Sequence, residues 1–262
     1  MPASRVQVEV DAGHGGRWSS LRGRSGREWL WRGDAPERFT AGPGDPFVDA
    51  GGMEECLPTI GGVPDHGDAW ARPWRPDGDG LSVTGDGYHL WRRISVDDTG
   101  LTCAYRLTAE PGWWFVWAAH TRLELSTAAY LDAPAGRFMW VNDPDGTTST
   151  HWPDFRGTDV SRLGDPDGLA LMIILPELPA MTVVDGDDRL TMRLSVLSGP
   201  GQPSGIAVWR NLYGAPAGAP CRQVAVEPML GYSPTLSLAN EGEAAVVPAS
   251  GVVEWTLSVD AS

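Results

Sequence analysis

The sequence contains no lysine; all 20 basic residues are arginine. That absence excludes Schiff-base chemistry, a lysine general base and the lysine of a phosphate-binding P-loop. Long apolar runs are missing too. The longest, Trp113 to Ala119 and Leu169 to Leu175, are strand-sized and far short of the roughly 20 residues that span a bilayer, so a membrane is not an expected partner. Cysteine is scarce, and Cys56, Cys103 and Cys221 lie too far apart for a disulfide framework or the paired spacing of a zinc site. They read as small core residues. No segment holds a 3.6-residue apolar period for a dozen residues, which leaves almost no room for helix. The N-terminus lacks a basic segment followed by an apolar one, so no signal peptide is read and a cytoplasmic location is expected. The net charge of −14 comes without a clustered basic surface, which argues against nucleic acid.

What is present is punctuation: 33 glycines and 22 prolines divide the chain into short apolar segments along its whole length. Strands are expected at Val6 to Val10, in a hairpin over Leu21 to Trp31, at Leu81 to Val83, Tyr88 to Val96 and Leu101 to Leu107, and at Gly168 to Leu175, Met181 to Val184, Leu190 to Val196 and Ile206 to Leu212. Arg222 to Pro228, Ala244 to Val247 and Gly251 to Val259 complete the set. Trp113 to Leu125, the most aromatic of them, is expected at the centre of a sheet. Gly33 to Asp49 and Asp132 to Asp167 read as loops, the second as a cover over a site. About fifteen short strands imply an all-β fold, a large sandwich of two antiparallel sheets, as one domain over residues 1–262.

The stretch from Gly51 to Trp74, GGMEECLPTIGGVPDHGDAWARPW, concentrates polar chemistry. His66 sits between Pro64, which presets φ, and Gly67, which opens conformations other residues avoid, while Asp65 and Asp68 can accept from an imidazole N–H. Trp70, Arg72 and Trp74 alternate at a strand-like period of two, placing an aromatic and guanidinium face beside the histidine. Such a face suits a polar, ring-shaped ligand such as a sugar. A surface turn followed by an ordinary core strand has the same local features.

Two further positions call for explanation. His120 ends an apolar strand, where desolvation shifts a titratable group, and Glu227 is a lone carboxylate in the apolar VAVEPM, stopped by Pro228. A hydrogen-bonded core histidine and a structural ion pair are the plainer accounts of the two. His14 lies in a glycine turn, and His89 lies inside a strand. His66 with Asp68, or His120 with Glu124, could share a metal, but the spacing specifies none, and no zinc motif, dinucleotide fingerprint or nucleophile elbow is present. Tryptophan dominates the aromatic residues, 13 against five each of phenylalanine and tyrosine, enough to fill a core and leave a stacking platform for a sugar.

Taken in order, PDHGDAW, AAHTRLEL and the closing segment from Val224, with its Glu-Pro and a last strand containing Trp255, resemble the aldose 1-epimerase (galactose mutarotase-like) superfamily. WLWRGD resembles its early strand. The resemblance implies a β-sandwich enzyme that opens and recloses an aldose ring without metal or organic cofactor. It assigns Glu227 as the base for the C1 hydroxyl, His120 as the acid for the ring oxygen and His66 as the histidine that polarises the ring-oxygen region. Ring opening needs one proton removed and one delivered, with roles reversed on closure. Arg72, Glu55 and Trp70 are the expected contacts to sugar hydroxyls. The N-H-x-H-G-G box of the galactose branch is missing. Arg72 falls two residues later than in the H-G-x-A-R pattern of the hexose-6-phosphate branch, and Arg122 replaces the aromatic that branch places after His-Thr. With no lysine to hold a phosphate, these departures point to a free aldose. The expected partner is thus a small-molecule sugar, on a monomer or homodimer. A non-catalytic sugar-binding module, or another isomerase or lyase on the same sandwich, are the rivals.

Overall fold

The computed structural model describes residues 5–199 and 201–262; the first four residues, part of the N-terminal stretch read for a leader, lie outside it. In chain order the strands are β1 (Gln7–Asp11), β2 (Arg17–Arg22), β3 (Met53–Cys56), β4 (Arg75–Asp77), β5 (Gly80–Gly85), β6 (Tyr88–Val96) and β7 (Leu101–Ala109). There follow β8 (Trp114–Phe115), β9 (Trp117–Arg122), β10 (Tyr130–Asp132), β11 (Phe138–Asp143), β12 (Gly146–His151), β13 (Asp154–Phe155) and β14 (Thr158–Asp159). The last third adds β15 (Ala170–Pro176), β16 (Ala180–Asp185), β17 (Asp188–Val196), β18 (Ser204–Leu212), β19 (Arg222–Leu230), β20 (Ala245–Val246) and β21 (Val252–Ala261). Among the described residues there is no α-helix, only 3-10 turns at Pro36–Phe39, Ala69–Ala71 and Leu236–Leu238. None is long and apolar enough to cross a membrane.

Nine strands form one antiparallel sheet in the order β1-β2-β3-β9-β19-β18-β15-β11-β12, and eight form a second in the order β10-β16-β17-β21-β7-β6-β5-β4. The two sheets make the large antiparallel β-sandwich expected from the sequence. Its core follows from alternation: Leu101, Cys103, Tyr105 and Leu107 of β7 and Val253, Trp255, Leu257 and Val259 of β21 point inward, against Trp117, Ala119, Val224 and Val226 of the larger sheet. β9 differs from the outer strands in being buried along its whole length. A second apolar cluster of Cys56, Ile60, Val116, Ala118, Ile174, Ala207 and Met229 covers its other face, and Trp140, Met172 and Leu236 pack against that cluster.

Several sequence expectations need correcting. Trp113 to Leu125 is not one strand: β8 pairs with β20 in a small separate sheet, and only β9 enters the large one, between β3 and β19. In the Leu21 to Trp31 hairpin the turn forms and Arg22 bridges Glu28, but the second arm is no continuous strand: Leu30 bridges Leu123 instead, and Arg32 just beyond it bridges Gly51. Pro228 does not stop its strand; β19 continues to Leu230. The supposed loop from Asp132 to Asp167 contains the β11–β12 hairpin, turned at Pro144-Asp145. β12 is an edge strand exposed on both faces, so its GTTSTH sequence carries no apolar alternation to read. Trp70, Arg72 and Trp74 do not share a strand face either. Ala69–Ala71 is a 3-10 turn, with Trp70 and Trp74 buried and Arg72 turned to Asp68.

The two sheets are joined across the core by Glu55, which is fully buried on β3. Arg92 of β6 donates to its Oε1 at 2.6 Å, Tyr105 of β7 donates to the same oxygen at 2.9 Å, and Trp117 of β9 donates to Oε2 at 2.6 Å. Replacing Glu55 by Ala should leave the Arg92 guanidinium buried without its counter-charge and cost about 3–5 kcal/mol of unfolding free energy in urea titrations; a loss under 1 kcal/mol would show that the pair is not a structural link.

Candidate active site

The site is built on the face of the large sheet turned away from the sandwich core. Since Cys56, Ala118 and Met229 belong to that face, alternation places Glu54, His120 and Glu227 on it as well. Glu54 lies opposite His120 across β3 and β9. Val226 lies opposite Thr121 and Met229 opposite Ala118, a register that puts Glu227 opposite His120 across β9 and β19. One histidine therefore stands in a row between two carboxylates on neighbouring strands.

His66 comes from above this row. Its backbone is in the left-handed region, at φ 59°, and its N–H donates to the Ile60 carbonyl at 2.7 Å. Gly67 follows at φ 73°, where a Cβ would lie 2.0 Å from the Leu57 carbonyl oxygen; only glycine fits. Asp65 Oδ1 lies 2.9 Å from His66 Nδ1, and Phe47 stacks on the imidazole at 3.7 Å between centroids. Asp68, the other expected acceptor, is occupied elsewhere by the Tyr88 hydroxyl and by Arg72. The His66 and His120 rings thereby meet edge to face, 5.0 Å apart.

The two histidines are pushed in opposite directions. Burial lowers the pKa of His66, and Asp65 offsets this only in part. Burial would lower His120 as well, but the Glu227 carboxylate outweighs it and holds His120 above its ordinary value. His120 Nδ1 and Glu227 Oε1 pair at 3.1 Å, and among the described residues no other group meets the carboxylate of this fully buried residue within hydrogen-bonding geometry. Glu54 is pushed up to about 7 by burial, against the pull of Arg38, whose Nη2 lies 2.8 Å from its Oε2.

His66 and His120 open onto a cavity of about 430 Å³, within the range of small-molecule sites. Phe47, Ile60, Met172 and Trp209 supply apolar surface, and Asp49, Arg122 and Gln223 supply polar groups. Glu227, fully buried beside His120 on the neighbouring strand, is not part of the lining. The three expected hydroxyl contacts are placed elsewhere: Glu55 faces the sandwich core, Trp70 is buried with its indole N–H on the Gly67 carbonyl, and Arg72 is paired with Asp68 away from the cavity. Sequence reading missed Phe47 and Asp49, and marked Glu54 only as one of two adjacent carboxylates. Phe47 and Asp49 lie in an irregular loop without period, and only the face opposite Glu55 distinguishes Glu54. Arg122 was visible as a departure; it pairs with Asp49 and lies 4.6 Å over the Trp31 ring. Among the described residues, no three His, Cys, Asp or Glu side chains come together as a metal site.

The fold is shared with solved structures at low sequence identity. A protein from Synechocystis sp. PCC 6803, Slr1438, superposes with a TM-score of 0.69 at 17% identity, over 98% of this chain and 94% of that one. A candidate aldose 1-epimerase from Escherichia coli K12 gives 0.65 at 14% identity, covering 97% and 96%. A galactose mutarotase-like protein from Lactobacillus casei gives 0.60 at 16%, covering 99% and 98%. No protein-family model and no curated protein matches the chain. The resemblance read from PDHGDAW, AAHTRLEL and the closing segment thus agrees with neighbours described as aldose 1-epimerase and galactose mutarotase-like proteins.

The opposed shifts give a direct test. In Glu227→Gln the carboxylate that raises His120 is gone while its burial remains, so its titration, followed by histidine NMR, should move from above to below the ordinary value of 6.5. A midpoint that stays above 6.5 would show that Glu227 does not set the charge of His120.

Proposed function

We propose that the protein is a cofactor-independent aldose 1-epimerase acting on a free aldose. The observation that carries this reading is the fully buried Glu227 carboxylate paired at 3.1 Å with a histidine that lines a sugar-sized cavity. Mutarotation moves two protons on oxygens that share one carbon, so its acid and base must be close together. Glu227 takes the proton of the C1 hydroxyl and His120, whose protonated form Glu227 favours, delivers one to the ring oxygen. The C1–O5 bond breaks to the open aldehyde, and closure on the other face returns both protons. His66, kept neutral by burial, polarises the ring-oxygen region, and Arg122 with Gln223 offers polar contacts to hydroxyls. The Asp49 carboxylate already neutralises Arg122, and no other cationic side chain but the histidines lines the cavity, which favours a neutral sugar over a phosphorylated one.

A second assignment of the roles has its own support. Because His66 lines the cavity and Glu227 does not, His66 can serve as the base while Glu227 only favours the charged form of His120.

Polarimetry of freshly dissolved α-glucose and α-galactose at neutral pH tests the function, with anomer equilibration expected well above the spontaneous rate. On the first assignment Glu227→Gln should lower kcat by about 10²–10⁴-fold with little change in affinity, and His66→Asn by less; the reverse order would favour His66 as base. Sugar binding without acceleration across a panel of aldoses would replace the enzyme by a binding module on the same fold.

A further inference from the structure

Among the described residues the two large sheets end in β1, β12, β10 and β4, and three of these edges are protected against further pairing. β1 is kinked by a bulge at Glu9 and Val10 and carries the Glu9 and Asp11 carboxylates. β4 is three residues long and contains Pro76. β10, also three residues, is covered on its open side, where the Leu131 N–H donates to the Ser161 carbonyl and Tyr130 bridges Arg162. β12 has none of these protections. Its six residues, GTTSTH, run in unbroken register with β11 and hold no proline, no bulge, no carboxylate and no guanidinium.

The free groups of this edge follow from the ladder. Trp152, next after β12, donates its N–H to the Arg137 carbonyl, and in the alternation of an antiparallel pair Thr150, Thr148 and Gly146 then bond to β11 as well. Thr147, Ser149 and His151 therefore turn their N–H and C=O groups away from the sheet, where among the described residues no other backbone bonds to them. We propose that β12 pairs with β12 of a second copy of this chain, antiparallel about a two-fold axis at Ser149, so that two nine-stranded sheets run on as one. In this register all the free groups match: Ser149 faces Ser149, and Thr147 faces His151 of the other copy in both directions, each pair exchanging both of its backbone bonds. Charge selects the same place. With a net charge of −14, two copies repel across most of their surfaces, and the uncharged β12 is where they approach at least cost. At either end of the pairing the exposed His151 lies diagonally from Asp145 of the second copy, a carboxylate whose side chain is 81% exposed and which Arg156 holds only at 3.7 Å. A single six-residue edge buries less than a standard interface, so the dimer exchanges with monomer, with a midpoint expected at about 10–100 µM.

Sedimentation velocity of the full chain from about 1 µM to 1 mM tests the pairing. The wild-type mass should rise from 28.1 kDa toward twice that across the range. Ser149→Pro removes an N–H that the chain itself does not use, and Ser149→Lys sets two ammonium groups opposite each other at the axis; each should hold the chain as a monomer with unchanged circular dichroism. An equimolar mixture of Ser149→Lys with Ser149→Glu should dimerise again, although neither variant does so alone. That readout depends on the self-facing register and serves where the proline variant fails to fold. A wild-type chain that stays monomeric to about 1 mM, a dimer that persists in Ser149→Lys, or a mixture that stays monomeric overturns the proposal. An edge that serves an extended peptide in place of a second copy would give the first of these results.

Discussion

The site depends on which way β3 faces. Glu54 and Glu55 are adjacent, so one must point into the sandwich and the other out of it, and a slip of one residue would exchange them. The choice is made by the buried contact of Glu55 with Arg92, Tyr105 and Trp117, which gives an inward carboxylate its counter-charge and two further donors. An inward Glu54 would exchange places with it and forfeit its pairing with Arg38. Once Glu55 is turned inward, Glu54 faces outward, and the register of β3 with β9 and of β9 with β19 sets His120 and Glu227 beside it. An ion pair on one side of the sheet thereby fixes the row of Glu54, His120 and Glu227 on the other.

The lack of lysine has a structural counterpart. Arg38, Arg92 and Arg122 each pair with a carboxylate, on Glu54, Glu55 and Asp49, and each lies over a tryptophan, at 4.6, 4.4 and 4.6 Å over Trp70, Trp74 and Trp31. A planar guanidinium can bond a carboxylate in its plane and stack an indole on its face at the same time, which an ammonium group cannot. Trp70 and Trp74, which in the sequence suggest a sugar platform, are the apolar backing of two such pairs.

What could be read from the sequence followed what is local. The two-sheet architecture and near absence of helix came from strand-sized apolar segments between turn residues, and the Pro64 to Gly67 loop announced a histidine held in a set direction. His120 and Glu227 stood out because each is polar in an apolar strand. The failures were non-local. Glu55 was misplaced because its partner Arg92 is 37 residues away on the other sheet. Arg72 was misplaced because Asp68, one turn earlier, captures it, and the β11–β12 hairpin was invisible because a strand with water on both faces has no pattern to show.

The Leu57 to Gly67 segment and the loop after β19 are sewn together. Ile60 and Gly61 both donate to the Pro234 carbonyl, Gly61 bridges Thr235, and the Thr59 hydroxyl accepts from the Leu236 N–H. The wall that carries His66 and the wall that carries Pro234 and Thr235 therefore form one braced rim, shaped before any ligand arrives. A pre-shaped rim has little chain entropy to lose on binding, so association needs no loop-closing step. On the proposed function, the entropy of shaping this wall is lost in folding and not on binding a sugar.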